Sequence, residues 1–187
     1  MLVVNLMIIM LLIYSVVLLS GVKMMFNSKY SKVIICLFAM YGPILSSIEG
    51  YKLGYTGIAS IIILCVSFLL IFIWGYRINK HIYSINNVKQ DDVINIIEEY
   101  FETKNIKYEV REEKIYLPEF DKNIVIDDFI EISLNCKNIK DIYFYDELVK
   151  KVRVEIKKIK KRYFPLEGMF YLACAVILYY FTTYFFK

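Results

Sequence analysis

The stretch TGIASIIILCVSFLLIFIWGYRINK, residues 56–80, decides the fold. From Thr56 to Tyr76 it carries no charge, and about 20 such residues in a helix cross the hydrocarbon of a bilayer. Trp74 and Tyr76 stand at one end, where amphipathic rings favour the membrane–water interface, and Arg77 and Lys80 follow at once. A run of this kind identifies an integral membrane protein and makes positive charge the guide to its orientation.

Three further runs flank it. Met1–Gly21 and Leu166–Phe186 are long enough to span, and the second ends in Tyr179, Tyr180, Phe181, Tyr184, Phe185 and Phe186. Val33–Ile48 is weaker, offering about 16 residues or roughly 24 Å of helix. Tyr30 and Tyr51 extend it into the interfaces, and Gly42-Pro43 in its middle predicts a kink. The first run lacks the basic start of a signal peptide. Its apolar stretch is longer than a signal core, and Leu18-Leu19-Ser20-Gly21-Val22 is a poor cleavage context, so it reads as a retained helix.

The basic residues fix sidedness. Lys23, Lys29 and Lys32 follow the first run, Arg77 and Lys80 the third, and Lys157, Lys158, Lys160, Lys161 and Arg162 precede the fourth. The turn after the second run has Glu49 and Lys52, which cancel. Four spans place every basic cluster on the cytoplasmic face, with both termini outside. If the Gly42-Pro43 run were re-entrant, Lys23, Lys29 and Lys32 would face outward, against the charge rule. The expected layout is a membrane region over residues 1–76, a cytoplasmic domain over 77–164 and a fourth span over 165–187.

Residues 77–164 read as an α+β unit of helix–strands–helix type inserted between the third and fourth spans. Residues 77–90 are a polar exit, broken at Ser84-Ile85-Asn86-Asn87. Asp91 or Asp92 caps a helix whose apolar positions are Val93, Ile94, Ile97, Tyr100 and Phe101. Ile106–Val110 and Lys114–Leu117 form a hairpin about Arg111-Glu112-Glu113, and Pro118 ends it. Ile124–Ile126 and Phe129–Leu134 are two more short strands, with Asp127-Asp128 as a turn or bulge. Ile142–Tyr145 is either a strand or a lead into the last helix. Asp146 caps that helix, which runs to about Tyr163. Three or four strands result.

Composition narrows the function. Hydrophobic residues make up 58% of the chain, above the roughly 45–50% of soluble domains. The abundance of Tyr, Ile and Lys suggests AT-rich coding and a bacterial type of source. Cys36, Cys65, Cys136 and Cys174 are isolated, so neither a disulfide framework nor a zinc site is expected. His81 stands without partners at ligand spacing. The spans hold no central ionisable residue, which argues against proton relays and ion-coupled transport. Asp127-Asp128, Glu98-Glu99 and Glu112-Glu113 are adjacent pairs that do not converge as catalysis requires. No catalytic, cofactor or metal residue is expected.

Two patches are candidates for binding. Lys157, Lys158, Lys160, Lys161 and Arg162 beside a span suit anionic headgroups, at about 1 kcal/mol per near-surface cation. The competing account is topology enforcement alone. Ser46, Ser47 and Glu49 form a polar site at the outer end of the second run, set against a solvated carboxylate loosely paired with Lys52. Residues 91–147 are acidic in excess, which excludes nucleic acid. The expectation is a non-enzymatic multi-pass protein of interaction, regulatory or immunity type. Its partners are the lipid bilayer and a protein, or a second copy of itself. The alternative is a small transport or lipid-handling protein acting as an oligomer.

Overall fold

The computed structural model describes residues 2–129 and 131–185. Sequence readings that touch Met1, Ile130, Phe186 and Lys187 lie outside the described residues. The fold is mixed helix and antiparallel sheet. The chain divides into two compact units, Asn27–Ile82 and Met1–Phe26 with Tyr83–Lys187.

The first of these is a helical hairpin of α2 (Ser28–Lys52) and α3 (Ile58–Ile78). Asn27 starts α2, its Oδ1 accepting from the Lys29 N–H at 3.1 Å, while its amide donates to the Lys80 carbonyl beyond α3. α2 ends on Gly54, whose φ of 76° is free of penalty only for glycine. There the Tyr55 N–H reaches the Gly50 carbonyl at 2.8 Å and the Gly54 N–H reaches Tyr51 at 3.1 Å. These bonds satisfy carbonyls that a helix end leaves open. α2 runs through Gly42-Pro43 as one helix and extends well beyond the Val33–Ile48 core. Polar Ser28, Lys29 and Lys32 join it because its first turn is capped.

The second unit pairs α1 (Leu2–Leu19) with α6 (Leu166–Phe185) and carries the sheet. Ile8, Ser15 and Leu18 of α1 are buried, as are Gly168, Ala175 and Thr182 of α6. The α6 set recurs every seven residues, as the seam of a supercoiled pair does. Small side chains let the backbones approach. A Cβ on Gly168 would lie 3.0 Å from the Leu19 nitrogen and 3.2 Å from the Leu18 Cβ. Among the described residues α2, α3 and α6 are long and apolar enough to cross a membrane, whereas α1 is shorter.

Six strands form one sheet in the order β1-β2-β6-β5-β4-β3. β1 is Met24–Asn27 and β2 is Ile82–Asn86. β3 (Glu109–Arg111), β4 (Lys114–Leu117), β5 (Lys122–Asp128) and β6 (Ile132–Asn135) are a meander. Helices α4 (Gln90–Thr103) and α5 (Tyr145–Lys158) pack against each other. Val93, Ile97, Phe101, Leu148, Val152 and Ile156 join Ile115, Ile124, Ile126 and Leu134 in the core. Phe101 and Phe144 meet edge to face, with centroids 5.6 Å apart.

Several boundaries differ from the sequence reading. The basic turn after the first run supplies β1, whose Met25 enters the core. The supposed break at residues 84–87 is largely β2: Ser84 and Asn86 are buried and find polar partners, which overrides their turn preference. Asp127 and Asp128 continue β5, pairing with Ser133 and Ile132. Glu112 turns the β3–β4 hairpin with φ 50°, and β3 starts later than Ile106. The cap of α4 is Lys89, whose N–H donates to Asp92 at 3.3 Å, and that of α5 is Phe144. Residues 142–144 are a turn entering α5, whose first residue is Tyr145. α5 stops at Lys158 because Ile159 turns extended, so Tyr163 lies beyond it.

A polar junction at the foot of the α1–α6 pair

β2 is buried on both of its faces. Tyr83 and Ile85 belong to the core, and the Tyr83 and Tyr145 hydroxyls lie 2.8 Å apart. The alternate residues, Ser84 and Asn86, are fully buried although polar. Ser84 Oγ donates to Glu131 Oε1 at 2.8 Å, and the Asn86 amide donates to the Glu167 carboxylate in the first turn of α6. The next residue, Asn87, adopts φ 59°, a left-handed conformation that asparagine tolerates better than most. Its Nδ2 donates to the carbonyls of Leu18 and Val22, each at 2.9 Å. One side chain of the sheet domain thus closes the C-terminal end of α1, next to Gly21 at φ 76°. Tyr14 and Tyr171 meet edge to face above, 4.9 Å between centroids.

The segment after α5 is fastened to the same unit. Lys23 Nζ donates to the carbonyls of Ile159, at 2.5 Å, and Lys161, at 2.6 Å. Tyr163 donates to Asp92 Oδ2 at 2.5 Å, and this bond to a carboxylate pushes the phenol up to about 12. Lys161 Nζ sits 5.2 Å from the Tyr163 ring centroid.

The residues anticipated from sequence fall in two places. Lys157 and Lys158 close α5, where cations complement the helix dipole, and Lys158 meets Glu155 at 2.8 Å. Lys160, Lys161 and Arg162 follow in exposed, non-helical chain. Ser46 and Glu49 are exposed on α2, and the Ser47 carbonyl accepts from Thr56 Oγ1 at 3.2 Å. The ion pairs among the described residues lie between residues 99 and 158, so Glu49 and Lys52 are not one of them. Cys136 is fully buried, and desolvation pushes its thiol up to about 12. Such a thiol stays protonated and unreactive.

Two open pockets indent the sheet domain. One, about 470 Å³, is lined by Tyr116, Asp121 and Asn138, and the other, about 330 Å³, by Tyr100, Lys104, Glu147 and Lys151. Lys104 and Glu147 pair at 2.7 Å while well exposed, an arrangement that contributes little. Among the described residues no group of three His, Cys, Asp or Glu is arranged to hold a metal ion.

Sequence reasoning missed the junction. Their polar side chains make Ser84 and Asn86 read as a turn, although Tyr83-Ser84-Ile85-Asn86 alternates as a strand does. Glu167 gave the other signal, a carboxylate opening an otherwise apolar helix. Comparison with models of protein families, with curated proteins and with solved structures finds no match.

Proposed function

We propose that this is a four-span membrane protein whose sheet domain faces the cytoplasm and binds a protein partner in a non-enzymatic, regulatory or immunity-type role. In this reading α1, α2, α3 and α6 cross the bilayer and both termini lie outside. The observation that carries it is the Asn87 clamp on Leu18 and Val22. The sheet domain is built onto the α1–α6 pair rather than hung from a linker, so a load on the helices or on the domain reaches the other. Phe129 and Tyr143, 89% and 82% exposed, are the large side chains it offers a partner, and aromatic anchors dominate protein interfaces. The basic segment 157–162 would rest on anionic headgroups.

A photo-reactive residue at Tyr143 in native membranes tests partner binding. Capture of one defined protein supports it, and capture of lipid alone refutes it. Sidedness is tested by single cysteines at Lys32, Lys140 and Lys52 in a cysteine-free background. Only the one at Lys52 should react with an impermeant thiol reagent in intact cells.

The second reading, a transport or lipid-handling oligomer, draws on α3, which buries no residue. That surface leaves room for a second copy. A concentration-independent monomer in detergent and in bilayer discs counts against it.

A further inference from the structure

Beside the donors of Ser84, Asn86 and Asn87, and with the Tyr14 phenol in hydrogen-bond reach of the Asn86 side chain, the junction holds two carboxylates and one acceptor without a donor. Asn86 is wholly buried, and its Nδ2 is used on Glu167. Its Oδ1 is also buried and has no hydrogen-bond partner among the described residues. A buried acceptor left unmade costs about 1–3 kcal/mol, so such an atom points to a missing donor. Two half-buried carboxylates belong to the same junction. Glu167 holds the Asn86 amide, and Glu131 holds the Ser84 hydroxyl. The two lie within electrostatic reach of each other, with no basic side chain among the groups acting on Glu167. Tyr14 and Tyr171 add aromatic ring surface.

Two carboxylates, one carbonyl oxygen and phenol rings call for a compact cation rich in N–H donors. A primary ammonium has three such donors and one charge, and it is drawn to aromatic faces. The described residues offer no triad of metal-ligating type, which leaves an organic cation as the better fit. Exposed apolar side chains surround the junction: Leu19, Val22, Leu166, Met169 and Phe170. Acyl chains would lie along them. We propose that the junction binds the ammonium headgroup of an aminophospholipid, with Glu167, Glu131 and Asn86 Oδ1 as its acceptors. The inference rests on the reading of α1 and α6 as membrane helices.

The test uses the full chain purified in detergent and titrated with phosphatidylethanolamine or phosphatidylcholine, binding being read by native mass spectrometry. The choline headgroup has the same charge and no N–H. Ethanolamine lipid should bind about tenfold tighter, the scale of one charge-assisted hydrogen bond. Glu167→Gln and Glu131→Gln should each shrink that contrast, and Glu131→Gln, on a partly exposed residue, keeps the test usable if the first variant folds poorly. Equal binding of the two lipids by the unaltered protein overturns the proposal. A contrast undiminished in both variants overturns it too. If free ethanolamine, in moderate excess over the lipid, abolishes the contrast, the site takes a soluble amine and the lipid assignment falls. Alkaline carbonate extraction of the same membranes reports separately on the spanning reading, since release of the chain would refute that reading whatever the lipids do.

Discussion

The α1–α6 pair and the α2–α3 hairpin are both apolar helix pairs, yet they are held together by different means. The first has a seam of buried residues at regular spacing, Ile8 and Ser15 on one helix and Gly168, Ala175 and Thr182 on the other. It ends on a polar clamp from the sheet domain. In the second, no α3 residue is fully buried: Ile61, Leu64, Phe68 and Phe72 are half-buried at helical spacing, and the ends are fixed by the Gly54 turn, Thr56 on Ser47, and Asn27 bridging to Lys80. Overall hydrophobicity therefore does not say which helices carry structure inward. Small residues in register do, because they let the two backbones approach closely.

The largest effect expected concerns where the sheet domain begins. A fragment of residues 88–164 lacks β1 and β2, and with them Tyr83 and Ile85 from the core. Each fully buried side chain of this kind contributes about 1.5–3 kcal/mol, a large share of what a small domain has. The fragment should show no cooperative melt by circular dichroism, whereas residues 80–164 should show a weak one. A sharp melt of the shorter fragment would mean that β1 and β2 contribute little to the stability of the sheet domain.

Next in size is Gly168→Leu. The added side chain meets the Leu19 backbone at 3.0 Å, and overpacking of this kind costs about 1–3 kcal/mol. Its counterpart, Gly75→Leu in α3, has nothing within 4 Å and should be neutral. Thermal unfolding of both variants in detergent checks the pair. Equal losses would erase the distinction between the two helix pairs.

Asn87→Gly isolates the clamp, since glycine keeps the left-handed backbone while losing the two bonds to Leu18 and Val22. The expected cost is about 1–2 kcal/mol. Hydrogen exchange should rise at the end of α1 and leave α2 and α3 unchanged. Exchange rising equally across both pairs would mean that the clamp governs the whole molecule.

How much of this was legible in the sequence depended on how far each signal reached along the chain. The apolar runs, the α4 stripe at Val93, Ile97 and Phe101, and the β4 strand are local patterns and could be read directly. β1 could not, because Met24-Met25-Phe26-Asn27 carries no strand signal of its own and is recruited by β2, more than fifty residues on in sequence. The junction was hidden for the same reason. Asn86 in an alternating stretch and Glu167 at the head of an apolar run each carry a local signal, and only the packing of β2 against the foot of α1 and α6 makes them a pair. The early end of α5 at Lys158 was equally invisible, since Ile159 and Tyr163 keep helical spacing while Lys23 and Asp92 hold that segment out of the helix.

Glu49→Gln should have the smallest effect. Glu49 is exposed in the last turn of α2, and its carbonyl accepts from the Leu53 N–H at 3.0 Å, a bond that glutamine keeps. A carboxylate there opposes the helix dipole and has no ion-pair partner among the described residues, so the change should be below about 0.5 kcal/mol and if anything stabilising. Lys52→Gln should shift stability by a similar amount in the opposite sense, since its cation suits the same helix end. Both are read from unfolding midpoints and from abundance in membranes. A large loss in Glu49→Gln with Lys52→Gln silent would mean that the carboxylate itself is engaged. The α2–α3 hairpin would then hold a site at its turn, which its exposed surface and end-capped construction argue against.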